Sequence, residues 1–402
     1  MRYRDSWIAF VGLLTFWISA VQAEKKGGET LGIVKEKPTD GRFVKTDRGF
    51  MVPYTATIPN SEVTFEMVPI PGGKFLMGSP AGEAKRKDDE GPQVTIDIEP
   101  FWMAKYEITW SEYKEFMALH DIFNDFLSHD MRKVTDDNLV DAVTAPSNLY
   151  EPTFTFKFGD HPRQPAITMS QFAAKQYTKW LSVMSKQFYR LPSEAQWEYA
   201  CRADTTTAYY FGDDPSKIGE HGWYIKNSNE QTNKVGQKSP NPWGLYDMHG
   251  NVAEWVLDEY SENGYAALEG AVVKDAKAIQ WPTKLFPRVA RGGSWEDKPE
   301  RCRSASRMSS HDDNWRTEDP NFPQSPYWFT TSPATGVGFR IIRPLNPPKD
   351  KAERERYWKA DLEEIWEGVK QRIEDEGRGA IGLIDDDLPK AIEELQKIKN
   401  NK

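Results

Sequence analysis

The chain has 402 residues, 38% of them hydrophobic and 13% aromatic with 15 Trp, and a formal net charge of −9. That is enough apolar material for one large core with appendages, and the acidic balance speaks against nucleic acid as a partner. Two cysteines, Cys201 and Cys302, exclude a disulfide framework, and six histidines without an HExxH or CxxC companion exclude a zinc site of ordinary spacing.

Residues 1–23 combine a basic start (Arg2, Arg4), an apolar run from Trp7 to Ala20 and the small-residue end Val21-Gln22-Ala23. This is the layout of a secretory signal peptide cleaved after Ala23. The run is shorter than the roughly 20 apolar residues of a spanning helix. No later stretch is apolar enough to span, and no cysteine follows Ala23 to carry a lipid. An exported protein, periplasmic or secreted, without a membrane span after cleavage is expected. Residues 24–62 are polar and read as a linker, with Gly49 to Tyr54 as a short extended candidate.

From Val63 the texture changes. Phe65 to Ile70 alternates like a half-buried strand, Gly72-Gly73 makes a turn and Lys74 to Gly78 returns, which predicts a hairpin. Val94 to Ile98 is a further alternating strand. Thr109 and Glu112 are spaced as a capping box for a helix to Met117. Ser170 to Gln187 puts Ala173, Tyr177, Trp180, Leu181 and Met184 on one helical face, and Ser193 with Gln196 caps a helix carrying Trp197 and Cys201. Cys201 is therefore read as a core residue. Beyond Tyr210, long stretches of Gly, Pro, Asn, Asp and Trp imply loops that pack on each other or are pinned by ions. Past Pro344, residues 346–402 form an amphipathic helical tail. Trp358, Leu362, Ile365, Trp366, Val369 and Ile373 make one stripe, and Ile392, Leu395 and Ile398 a second after Leu388-Pro389.

Four runs occur in one order: Met67 to Ser79 (MVPIPGGKFLMGS), Arg190 to Ala200 (RLPSEAQWEYA), Gly244 to Trp255 (GLYDMHGNVAEW), and Arg291-Gly292-Gly293-Ser294-Trp295 ending in Gly338-Phe339-Arg340. Together they resemble the formylglycine-generating, or sulfatase-modifying factor, family over residues 63–345. The resemblance implies an α+β domain of C-type-lectin-like fold, with sparse secondary structure and long loops. Relative to a compact member, Asn124 to His161 and Ser310 to Thr335 read as insertions.

The resemblance also implies a calcium site in which Asp247 and Glu254 bind through side chains and Gly250 and Val252 through backbone oxygens, with Glu254→Gln expected to weaken it most. A second calcium site is expected near Trp223 to Asn229, without named ligands. Aerobic formylglycine-generating members hold Cu(I) between two cysteines that follow the GGS-aromatic motif. Here the first of those positions is Asp297 and the second is Cys302, or Cys302 is simply a small buried residue. One thiolate does not make a two-sulfur copper site. A calcium-stabilised module that binds a protein or carbohydrate is therefore expected, with an oxidase acting on a sulfatase cysteine through Cys302 as the alternative.

Overall fold

The computed structural model describes residues 30–145, 156–310 and 334–400 apart from 376 and 378. The expected signal segment, residues 146–155 of the first insertion and most of the second insertion lie outside the described residues.

The strand Thr64–Ile70 is buried on both faces over Met67 to Ile70 and has a strand at each edge. It pairs antiparallel with Tyr54–Thr57 and with Phe101–Ala104, and Ile342–Pro344 closes the far side. The expected hairpin does not form. Gly73–Met77 pairs with Val94–Ile98 in a second sheet, which Val273–Lys274 joins in parallel. The reason lies at Gly72, where an added Cβ would stand 2.8 Å from Pro100 Cδ. The bare backbone crosses the Pro100 corner there and leaves the first sheet. A third sheet is built on Ala253–Glu259, flanked by antiparallel Arg288–Arg291, with Arg307–Ser309 outside it, and by parallel Val337–Gly338. This sheet positions the residues of functional interest.

The helices follow their caps. Ser170 Oγ accepts from Ala173 N at 3.1 Å to start Gln171–Ser185, and Ser193 and Gln196 exchange bonds at 3.1 and 3.2 Å to start Glu194–Arg202. Trp197 and Cys201 are both fully buried, as the helical spacing requires. Thr109 N donates to Glu112 Oε2 at 2.9 Å at the head of Trp110–Met117.

Burial pushes the Glu112 carboxyl up to about 7, against the pull of the Thr109 bonds. A carboxyl raised in the folded state contributes stability that is full below its unfolded value and is lost as pH rises through about 7. Glu112→Gln keeps an acceptor for Thr109 and cannot ionise. Its stability relative to wild type, from urea denaturation, is expected to improve by about 1–3 kcal/mol between roughly pH 5 and pH 8. An equal difference at both pH values would refute this assignment.

Residues 30–62 are not the linker that their polarity suggests. Ile33–Val34, Val44–Thr46 and Gly49–Met51 form a small sheet, and Met51, Tyr54 and Ile58 are buried in the main core. Few apolar residues suffice because each is anchored: Tyr54 stacks edge-on with Trp102, and its hydroxyl meets that of Tyr189 at 3.2 Å. The tail also docks. Ile365 and Val369, on the helix Glu363–Glu374, pack against Phe172, and Lys175 and Lys179 form buried ion pairs with Asp361 and Glu355 at 3.0 and 2.9 Å. Trp358 precedes this helix and donates its indole N–H to Tyr189 O at 2.9 Å. Between Glu363–Glu374 and the last helix, Leu388–Asn400, the stretch Ala380–Leu383 forms a strand antiparallel to Ala142–Ala145, within the first insertion. Among the described residues no helix is long and apolar enough to cross a membrane.

Candidate functional site

The strand Arg288–Arg291 delivers the chain into a tight loop. Gly292 and Gly293 have φ of 101° and 70°, and a Cβ on Gly293 would lie 2.6 Å from Cys302 Sγ. Ser294 then donates from N and Oγ to Asp297 Oδ2 at 3.0 and 2.9 Å, while Asp297 Oδ1 pairs with Arg301 Nε at 2.9 Å. Both Asp297 oxygens are thus engaged by neighbours. Trp295 donates its indole N–H to Thr335 O at 3.2 Å and lies 4.9 Å, centroid to centroid, from Phe158.

Cys302 is fully buried and packs with Ala208, Tyr209 and Ile218. Burial first, and then the Asp297 carboxylate, push its thiol well above the ordinary range. Its carbonyl accepts from His249 Nδ1 at 2.7 Å. His249 Nε2 accepts from Tyr210 N at 3.1 Å, which makes Nδ1 the protonated nitrogen. Burial lowers His249 to about 3, so the ring stays neutral. Cys201 sits in the second core with its thiol pushed up to about 12, again by burial. Both sulfurs are protonated thiols in closed surroundings. This donor set does not fit Cu(I).

The second feature is the turn before Ala253–Glu259. Asp247 and Asn251 have φ of 62° and 65°, and Gly250 φ of 140°, where a Cβ would stand 2.2 Å from Trp223 O. Asn251 staples the turn: its N donates to Trp223 O at 2.8 Å, its Oδ1 accepts from Asn233 N at 2.8 Å, and its Nδ2 donates to Glu107 Oε1 at 3.1 Å. Glu254 receives Trp197 Nε1 at 2.7 Å and a two-pronged Arg340 guanidinium at 2.6 Å on each oxygen.

Asp247 Oδ2 accepts from Gly236 N at 2.7 Å, but Asp247 Oδ1 and Glu107 Oε2 have no hydrogen-bond partner among the described residues, although both side chains are about 1% exposed. Burial pushes Asp247 up to about 6. Burial first, and then the Asp247 charge, push Glu107 well above its usual range.

No three His, Cys, Asp or Glu side chains among the described residues stand together as a metal cage. What the turn shows to a hard cation is the free Asp247 oxygen, with Glu254 already held by Arg340, while Gly250 and Val252 are ligands only by the resemblance. An all-oxygen donor set with an orphaned carboxylate atom fits calcium. Near Trp223 to Asn229, Asn227 Oδ1 and Nδ2 are used by Tyr224 N and Gly222 O, at 2.8 and 3.1 Å.

A sequence profile for the Sulfatase-modifying factor enzyme 1-like domain matches residues 55–318. The chain belongs to the sulfatase-modifying factor family. The formylglycine-generating enzyme of Thermomonospora curvata is 28% identical over 63% of this chain and 91% of its own length. A Mus musculus protein described as inactive C-alpha-formylglycine-generating enzyme 2 is 26% identical over 71% of this chain and 87% of its own. A Chlamydia caviae serine/threonine-protein kinase is 29% identical over 60% of this chain, which spans only 35% of that protein's length. Treponema denticola variable protein 1 superposes with a TM-score of 0.51 at 19% identity, covering 73% of this chain and 99% of that one, a likeness of fold.

This sulfatase-modifying factor domain has the C-type-lectin-like α+β architecture that its motifs imply. The motifs found Asp247, Gly250, Val252, Glu254, Asp297 and Cys302. They missed Glu107, which lies 144 positions from Asn251 and belongs to no local pattern.

Proposed function

We propose that this protein is an exported, calcium-stabilised member of the sulfatase-modifying factor family that binds a protein or carbohydrate ligand without oxidising it. The observation that carries this reading is the Asp297 carboxylate. It is tied to Ser294 and Arg301 where the oxidase chemistry needs a soft sulfur, and the thiol expected at the second position, Cys302, is buried and protonated. Calcium is supported by the buried Asp247 Oδ1, which has no hydrogen-bond partner among the described residues. Export rests on the signal-like residues 1–23.

The second reading is a formylglycine-generating oxidase whose partner is a sulfatase. It draws on the likeness to the Thermomonospora curvata enzyme and on the loop from Ser294 to Trp295. Incubation of the purified protein with Cu(I), oxygen and a sulfatase-type CxPxR peptide separates the two. Mass spectrometry is expected to return the peptide unchanged. Formylglycine that appears with wild type and disappears in Cys302→Ser would overturn the binding reading and establish the oxidase.

A further inference from the structure

The chain is acidic overall, with a formal net charge of −9, yet the loop 235–246 gathers cations from three separate segments, and each lies over an aromatic ring. Arg42 donates from Nη1 to Pro242 O at 2.9 Å, and its guanidinium stands 5.6 Å from the centre of the Trp243 ring. The carbonyl of Lys105 accepts from Tyr246 N at 3.1 Å, and its ammonium stands 5.3 and 5.7 Å from the Tyr106 and Tyr246 rings. The carbonyl of Arg163 accepts from Val235 N at 2.9 Å, and its guanidinium stands 5.4 Å from the Tyr106 ring. The two tyrosine rings meet at 5.2 Å with their planes 42° apart. Gly236, at φ 75°, seats the edge of Tyr106 on bare backbone, since an added Cβ would stand 2.4 Å from Tyr106 Cε1. The loop thus fixes both the rings and the backbone of the residues that bring the cations.

Two carboxylates face these cations. Glu66 Oε2 pairs with Lys105 at 2.9 Å, and the Asp204 charge acts on Arg42. Arg163 is exposed and its guanidinium has no ion pair among the described residues, while Arg42, Lys105, Tyr106 and Tyr246 are half-buried. A guanidinium or ammonium resting on a ring is held in place and still turns N–H donors to the solvent, and tyrosine adds an apolar face with a polar tip. We infer that this strip binds an acidic polysaccharide, with carboxylate or sulfate groups on Arg163 and Lys105 and sugar rings against Tyr106 and Tyr246. The inference rests on the carbohydrate half of the function proposed above and names the class of glycan. Arg163 and Lys105 share one ring, so a single short oligosaccharide can meet both. Charge complementarity steers such a chain to this face of an otherwise acidic molecule. An acidic peptide would use the cations and leave the rings idle.

The test is calorimetric titration of the full chain, at low ionic strength, with dextran sulfate, polygalacturonate, uncharged dextran and polyglutamate of matched length. Wild type is expected to bind dextran sulfate, polygalacturonate or both, more weakly as salt is added, and to bind dextran and polyglutamate at least about tenfold less tightly. Preference between the two charged glycans assigns the anion as sulfate or carboxylate. The double variant Arg163→Gln/Lys105→Gln is expected to lose at least about tenfold in affinity, and Tyr246→Leu about threefold. Lys351→Gln, at an exposed lysine of the tail paired with Asp141, is expected to change nothing. Unchanged binding by the double variant overturns the site, and wild-type affinity in Tyr246→Leu overturns the stacking of sugar on the ring. Polyglutamate bound as tightly as the charged glycans overturns the glycan assignment. Binding of dextran alone overturns the acidic class and leaves the carbohydrate reading standing, whereas a wild type that binds no glycan overturns both. Should the double variant not fold, Arg163→Glu at its exposed position decides: weaker binding supports the strip, and wild-type affinity removes it.

Discussion

Replacing Arg340 with methionine is expected to cost about 3–5 kcal/mol of folding stability, read by urea denaturation in chelator. The guanidinium is fully buried, holds both Glu254 oxygens at 2.6 Å, and gives further donors to Ala104 O and Tyr246 O at 3.1 and 3.0 Å. Methionine refills much of the aliphatic volume, so the loss is one of charge rather than of packing. What remains is a buried Glu254 carboxylate with the Trp197 indole as its donor among the described residues and two further carboxylates nearby. Adding Glu254→Gln to Arg340→Met removes the stranded charge and keeps an acceptor for Trp197. The double variant is expected to regain about 1–3 kcal/mol over the single one. A double variant no more stable than Arg340→Met would show that the pair is not the source of the loss.

Arg291→Lys is the second large effect, about 2–4 kcal/mol, although the charge is kept. Glu194 and Glu198 lie one turn apart on the same helix, both buried, and Arg291 spans them: Nη1 to Glu194 Oε1 at 2.9 Å, and Nη2 to Glu198 Oε2 at 2.7 Å. The same two nitrogens also donate to Ser304 O at 2.6 Å and Tyr265 OH at 3.2 Å. Burial pushes Glu198 up, yet Arg202 and Arg291 pull harder and hold it below the usual carboxylate range. A single ammonium cannot span two carboxylates and also reach the Ser304 carbonyl. Arg301→Lys is the matched control. Its pair with Asp297 is 42% exposed on the arginine side, and a change of no more than about 1 kcal/mol is expected. Similar losses at both positions would mean that the buried fork carries no special weight.

What was legible in the amino-acid sequence was whatever depends on neighbours along the chain. The capping pairs Thr109/Glu112 and Ser193/Gln196 lie within one turn, and both helices begin where those pairs place them. Asp297 and Cys302 could be located by counting from Trp295, because the loop is short and its glycines set its path. The hairpin failed because alternation in Phe65 to Ile70 reports a buried strand but not its partner, and the partners come from residues 54–57 and 101–104. The pairing of Ala380–Leu383 with Ala142–Ala145 leaves no local trace, since neither segment is long or strongly alternating. Residues 30–62 were misread because composition averages over the few buried anchors, Met51, Tyr54 and Ile58, that decide the matter. The Glu107 contact to the Asn251 turn shares this long-range character, and its chemistry becomes visible only once an oxygen is seen to lack a partner.

The late strands have a consequence for biosynthesis. Val337–Gly338 lies beside Ala253–Glu254, Ile342–Pro344 closes the edge of Phe101–Ala104, and Ala380–Leu383 covers Ala142–Ala145. A nascent chain emerging from the ribosome therefore carries three open β edges until the stretch beyond residue 336 arrives. Open edges recruit other strands, so the nascent polypeptide is at its most sticky before residues 337–383 emerge to pair them. Such a chain cannot fold by accretion from its first residue.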